Sequence, residues 1–333
     1  MEVSVKTYKQ LENGPVRCGL CPHNCRIQEG KSGVCRVRIN RGGKLFATNY
    51  GEVSSMGLDP IEKKPLYHFY PGHSILSVGT VGCSLSCSFC QNYQIAQENP
   101  PTRFVAPEEL LNLAQEAKKH DSVGVAYTYS EPLMWYEYLA DVLPMMKNVG
   151  LENVLVTNGY INPEPLQAII SGVDAMNIDL KSFAEQYYRS QCRGRLSPVK
   201  ETIEYCVRHT HVELTCLLIP GLNDSREEIE AMCRWIAGIN ASIPLHLSAY
   251  HPAYKLKLPP TPRNTMEMAW QIANRHLQNV YVGNMAGFAN NSCCSNCQAI
   301  LVAREGYMVK IENLAGTRCR VCGKDAYFTC QAI

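Results

Sequence analysis

Short apolar runs alternate with amphipathic stretches through the middle of the chain. Ile75–Thr80, Val123–Thr128, Asn153–Thr157, Ala175–Leu180, His211–Leu218 and Leu245–Tyr250 read as buried strands, and Val280–Gly283 as a further short one. Helical signals fall between them. Pro107, Glu108 and Glu109 open an acidic first turn, after which Leu110, Leu111, Ala114 and Ala117 recur at helical spacing. Residues 133–147, 225–238 and 264–276 read as helices too, as does a stretch capped by Ser197 and Pro198 that runs to about His209. Strands alternating with helices predict a parallel sheet with right-handed crossovers, and about six such units predict a partial (β/α)6 barrel. Chemistry in such folds gathers at the C-terminal edge of the strands.

On both sides of this region the pattern gives way to cysteine-rich sequence. This predicts three parts: a metal-binding segment over 1–56, the barrel over 57–290, and a zinc-ribbon-like segment over 291–333. In the first, Cys18, Cys21, Cys25 and Cys35 stand in a C-x2-C-x3-C-x9-C pattern, with Gly30 and Gly33 leaving the backbone free to wrap tightly. Four thiolates so placed fit a structural zinc somewhat better, and also an auxiliary iron–sulfur cluster. His23, between them, is expected to face solvent. In the last part, Cys294 and Cys297 form one C-x2-C knuckle and Cys319 and Cys322 another, with hairpin-like sequence at 299–311 between. That is the pattern of a four-thiolate zinc site on β-hairpins. Cys293 offers the same chemistry one residue out of register.

Composition narrows the classes. Hydrophobic residues at 46% supply a sizeable core, and a net charge of +2 gives no general electrostatic attraction to nucleic acid or membrane. A local basic patch for nucleic acid stays open. There is no apolar run of 18 residues and no basic-then-apolar leader at Met1, so a soluble, cytoplasmic protein is expected. The 17 cysteines cluster at short spacings, which in that setting points to metal sites rather than disulfides. Cys192, Cys206, Cys216, Cys233 and Cys330 look scattered and are read as small buried hydrophobes.

Directly after the first strand, Cys83, Cys87 and Cys90 stand as C-x3-C-x2-C. Three thiolates can hold three corners of a [4Fe-4S] cube and leave one iron open to a small chelating molecule. A zinc site wants a fourth ligand, and residues 91–120 offer no nearby partner to complete one. With Phe89 before the third cysteine, the motif resembles the signature of the radical S-adenosylmethionine (SAM) superfamily. The resemblance implies a [4Fe-4S] cluster, SAM bound at the open iron, and its reductive cleavage to a 5′-deoxyadenosyl radical. It also implies a partial barrel whose open side admits substrate.

Polar residues at other strand ends then acquire candidate roles. Ser130 and Glu131, in Tyr129-Ser-Glu-Pro132, resemble the Gly-Gly-Glu-type motif that binds the methionyl amine, with Tyr129 and Ser130 replacing both glycines. A helix N-terminal charge beside Pro132 is the alternative for Glu131. Asp179 and Lys181 share one face of the fourth strand, either as a cofactor contact or as an internal ion pair. Pro220 lies in a Pro-Gly-Leu-Asn-Asp turn resembling the one beside the adenine, although a turn followed by a helix cap explains it equally well. Asn158 and His251 are weaker strand-end candidates.

The order of these motifs, with Asp-Pro-Ile-Glu-Lys-Lys-Pro-Leu-Tyr-His at 59–68, resembles the radical SAM enzymes of the AmmeMemoRadiSam system, a group similar to pyruvate formate-lyase activating enzymes. That resemblance implies activase-like removal of hydrogen from a partner protein and a one-electron reductant such as flavodoxin or ferredoxin. It also implies association with Memo-like or AMMECR-like proteins. Two alternatives stay open: radical modification of a small molecule or nucleic acid with help from the zinc ribbon, and a non-catalytic zinc-ribbon binding module.

Overall fold

The alternating runs of the middle of the chain pair into one eight-stranded sheet in which spatial order follows chain order. The structure, a computed structural model, describes residues 1–330. The end of the expected 291–333 segment, residues 331–333, lies outside the described residues. The strands are β1 (Ser55–Pro60), β2 (Ser74–Gly79), β3 (Ser122–Tyr127), β4 (Glu152–Thr157), β5 (Ala175–Asp179), β6 (His211–Leu218), β7 (Leu245–Ala249) and β8 (Val280–Gly283). From β2 to β8 every neighbouring pair is parallel. Since β1 and β8 are the two ends of the strand order, the sheet is an open, partial barrel.

Two features extend the six-unit expectation. Val280–Gly283 is a full member of the sheet and gives it a seventh parallel strand. Ser55–Pro60, absent from the strands that the periodicity predicts, pairs antiparallel with β2 from Ser55↔Gly79 to Pro60↔Ser74 and runs across the expected boundary at residue 56. Its apolar side chains Met56 and Leu58 are exposed, so the pairing rests on backbone hydrogen bonds that carry no hydrophobic signal. Pro60 is tolerated because it ends an edge strand.

The crossover helices form for the reasons the sequence gives. In Pro107–Ala117 the residues Leu110, Ala114 and Ala117 are buried, and Pro107 occupies the first turn, where a missing N–H is harmless. Ser225 caps Arg226–Asn240 by accepting from Glu228 N (3.2 Å). A short helix at Pro163–Ile169 has no counterpart in the periodicity, since only Pro165, Leu166 and Ile169 are buried in it.

The N-terminal segment forms two small antiparallel sheets clamped to the barrel. Arg38, fully buried, donates twice to Glu137 on the helix Tyr136–Asn148 (2.9 and 2.8 Å). Asn162 Nδ2 donates to Gly19 O (2.7 Å). His23 is half-buried rather than solvent-facing, and its Nε2 donates to Ser84 O (2.8 Å). The last segment docks at the other end of the barrel, where strands begin. Tyr327 Oη bridges Val212 N and O (3.2 and 3.1 Å), and Thr329 N donates to His68 O (2.8 Å).

Beneath it, period-2 alternation points Glu213, Thr215 and Leu217 of β6 the same way. Fully buried, Glu213 accepts from Tyr67 N (3.0 Å), His68 N (2.7 Å), His246 Nε2 (2.7 Å) and His211 Nε2 (3.2 Å). No described helix is long and apolar enough to cross a membrane.

Candidate active site

The Cys83–Cys90 loop leaves the C-terminal end of β2 and is held against a single π-helical turn, Tyr188–Cys192. Ser86 N donates to Cys192 O (3.0 Å), Ser88 N to Gln191 O (2.9 Å) and Ser88 Oγ to Gln191 Oε1 (2.7 Å). Such π-turns recur at functional sites because they re-aim backbone carbonyls. The loop walls a cavity of about 230 Å³ at the strand ends.

Cys83, Cys87, Cys90, Phe89, Ser130, Asn158, Asp179 and Lys181 all line this cavity; Glu131, Pro220 and His251 do not. Burial pushes the Cys83 thiol well above its ordinary range and Cys90 up to about 11. Cys87 rises through its hydrogen bond with Cys192 and through burial. Any metal bound here must displace protons from these thiols. Asn158 Nδ2 lies 3.5 Å from Cys83 Sγ, close enough to fix its rotamer.

The Asp179–Lys181 pair is real, with Nζ and Oδ2 2.8 Å apart on the cavity wall. Burial opposes the charge on Lys181, but the Asp179 carboxylate beside it pushes its pKa well up, so it stands as a cation. Asn223 Nδ2 reaches back from the Pro-Gly turn to donate to Lys181 O (2.7 Å), so that turn positions the strand end from outside the cavity. His251 is exposed, its Nε2 3.4 Å from Asn284 O.

Glu131 is turned inward. Its carboxylate accepts from Thr157 Oγ1 (2.5 Å), Asn158 N (2.8 Å) and Leu133 N (3.1 Å), the last as cap of the short helical turn at Pro132. Burial raises its pKa to about 7 against the pull of these donors. Its neighbour Ser130 presents an Oγ that is buried and has no partner among the described residues. Tyr129 takes a left-handed backbone (φ 69°), the conformation a glycine would adopt without strain. Its hydroxyl is anchored on Asp59 Oδ2 (2.9 Å), which compensates.

Sequence reasoning passed over Thr215, Leu217, Ser248 and Asn284, which also line the cavity. Their signal was present: Thr215 and Leu217 continue the alternation of Glu213, and Ser248 pairs in register with Leu217 on the next strand. Cys192 looked scattered, yet it sits beside Cys87.

A family model described as the radical SAM superfamily matches residues 77–236. An uncharacterized protein of Methanocaldococcus jannaschii is 41% identical over 327 residues, 95% of this chain and 96% of that one. The chain belongs to the radical SAM superfamily. A pyruvate formate-lyase-activating enzyme of Clostridium pasteurianum is 26% identical over 201 residues, 54% of this chain and 81% of the relative. Among solved structures, Streptococcus suis SuiB bound to S-adenosylmethionine has a TM-score of 0.51 at 13% identity, covering 66% of this chain and 50% of that one. That likeness is one of fold alone. Superfamily membership brings an iron–sulfur cluster and SAM, and it makes the chain an enzyme.

The C-terminal cysteines of this radical SAM protein also converge. Cys294, Cys297, Cys319 and Cys322 place all four sulfurs within 4.8 Å of one another, with Cys294–Cys322 at 3.6 Å and Cys297–Cys319 at 3.7 Å. Tetrahedral thiolates around one zinc stand about 3.8 Å apart, given Zn–S bonds of about 2.3 Å. Cys294 is buried and Cys293 exposed, so the knuckle register is the expected one.

Proposed function

We propose that this chain cleaves SAM reductively at a [4Fe-4S] cluster on Cys83, Cys87 and Cys90 and abstracts hydrogen from a partner protein, as an activating enzyme would. The observation that carries the reading is three thiols lining one cavity, with no further cysteine among its described lining residues, beside an unpaired Ser130 hydroxyl and the Asp179–Lys181 pair. Three sulfur donors suit three corners of a cube, and the unpaired oxygen suits a bound amine. When bound, the cluster and SAM together supply one-electron C–S cleavage and a 5′-deoxyadenosyl radical.

The residues of this chain do the rest. Asn158 orients Cys83, and Glu131 holds Asn158 in turn. The Asp179 carboxylate and the Lys181 ammonium offer opposite charges to a zwitterionic or ribosyl group, and Phe89 and Leu217 exclude water from one wall. On this reading a polypeptide loop of the partner would enter at the open side of the barrel.

Membership in the AmmeMemoRadiSam system, association with Memo-like or AMMECR-like proteins, a flavodoxin- or ferredoxin-type donor and a cytoplasmic setting belong to the same proposal. So do a single zinc ion at the C-terminal cysteines and the three-part division of the chain. A ribbon that presents nucleic acid to the site is the weaker reading, because the ribbon docks where strands begin and the cavity lies where they end.

The test is 5′-deoxyadenosine formation under strict anaerobiosis with reductant and SAM, supplemented with protein, nucleic-acid or small-molecule fractions of host extract. Stimulation by the protein fraction alone is expected. Stimulation confined to the small-molecule fraction would replace the activase reading with a metabolic one. No 5′-deoxyadenosine under any condition would remove SAM cleavage altogether.

A further inference from the structure

Cys18, Cys21, Cys25 and Cys35 converge on one small enclosed cavity, which Arg38 also lines. Their sulfurs are set wider than a single ion requires. Among the described residues, no three of the four lie all within 4.8 Å of one another, as the C-terminal four do. Thiolates at the corners of a four-iron cube stand farther apart than those around one zinc, because the metals themselves are spread. A second observation is the Arg38 Nε–H, which is fully buried and has no hydrogen-bond partner among the described residues. An unpaired buried donor is costly, and a cluster sulfur or ligating thiolate is the acceptor that this cavity would offer it.

The position is as informative as the size. Both chain neighbours of Cys83 are touched by this segment. Before it, Gly82 packs on Cys35, whose carbonyl oxygen would lie 2.7 Å from any Cβ added there. After it, Ser84 O accepts from His23, which lies between Cys21 and Cys25. On the outer side, a groove walled by Cys18 carries the exposed cations Lys6, Lys9 and Arg17, with Glu164 as its opposing acid.

We propose that Cys18, Cys21, Cys25 and Cys35 ligate a second iron–sulfur cluster, of the four-cysteine [4Fe-4S] class, which relays single electrons to the Cys83 loop. In the relay, one electron enters from an acidic low-potential carrier protein, reduces this cluster by one charge, and leaves for the cluster at Cys83. No bond forms or breaks, and no proton is transferred. The relay half of the proposal rests on the SAM-cleaving reading above, whereas the cluster half does not.

The cluster half is tested in the Cys83→Ala/Cys87→Ala/Cys90→Ala variant, purified anaerobically and assayed for iron, acid-labile sulfide and zinc, then reduced with dithionite for electron paramagnetic resonance. About four iron and four sulfide per chain, with a reduced-cluster signal, are expected for one remaining [4Fe-4S] centre. About two zinc per chain without sulfide, or only the single zinc of the C-terminal cysteines and no iron, overturns the proposal.

The relay half is tested in the Cys18→Ser/Cys21→Ser variant by forming 5′-deoxyadenosine with reduced flavodoxin or with dithionite as donor. A loss of about tenfold or more with flavodoxin is expected, against about threefold or less with dithionite, which reaches a partly exposed cluster directly. Equal losses with both donors, or no loss with either, overturn the relay. If the native chain forms no 5′-deoxyadenosine with either donor, the SAM-cleaving reading fails, and the iron and sulfide counts still decide the second cluster.

Discussion

The two ends of the barrel interior are built from the same strands and behave in opposite ways. Where strands begin, Glu213 takes four donors, His68 donates through Nδ1 to Tyr327 O, and its Nε2 meets the Tyr281 hydroxyl. Four residues further along β6, Leu217 already faces the cavity, with Ser248, Asp179 and Lys181 around it. At the closed end, the 67–73 stretch and the C-terminal segment add backbone partners for Glu213 and His68 to those that the strands supply. At the open end three thiols line a cavity, and the buried Ser130 hydroxyl has no partner among the described residues. Alternation places polar groups inside a barrel, but the segments that cover each mouth decide whether they become structure or site.

Substitutions at the two ends should therefore fail differently. The largest effect belongs to the open end: Cys87→Ala should abolish 5′-deoxyadenosine formation and lose the cluster's visible absorption, with the melting temperature little changed. Full activity in that variant would sink the assignment. At the closed end, Glu213→Ala leaves buried donors without an acceptor and should cost about 3–5 kcal/mol in chemical denaturation. A value below about 1 kcal/mol would mean that the network is not a structural plug.

The closed end also sets an acid limit. Burial pushes the His68 pKa down to about 3 from 6.5, so the unfolded chain binds the extra proton and stability falls as pH drops below 6.5. Burial alone would raise the Glu213 pKa, but His211 and His246 hold it far below 4.5, which adds a second loss below that pH. The combined slope should start near one proton, about 1.4 kcal/mol per pH unit, and steepen below pH 4.5. His68→Gln should flatten its upper part, and an unchanged slope would assign the sensitivity elsewhere. The smallest effect on the site is expected from Cys319→Ser. It should release zinc and loosen the ribbon while the Cys83 cluster keeps its spectrum; loss of both would couple the two ends.

Much of this was legible in the sequence. The parallel strands announce themselves because buried strands must be apolar, and the Cys83 loop follows one of them directly. Strand β1 was hidden because backbone pairing at an edge needs no apolar pattern. Glu131 carried two readings, and the structure has it capping the turn at Pro132 while bracing Asn158, a distinction that depends on which way one carboxylate turns. Thr215 looks like an ordinary strand residue until the register aligns it with Asp179, and Ser248 until it aligns with Leu217. Spacing could not size the two cysteine tetrads, since through-space distance between sulfurs depends on how the intervening loops fold.

The π-helical turn at Tyr188–Cys192 bears on how the enzyme is born rather than how it turns over. Its carbonyls already hold the Ser86 and Ser88 amides in place, so the cysteine loop is moulded by protein contacts. Iron and sulfide would then arrive at a finished socket. Maturation of this site becomes a matter of delivery, and newly made chain can wait, folded, for its metal.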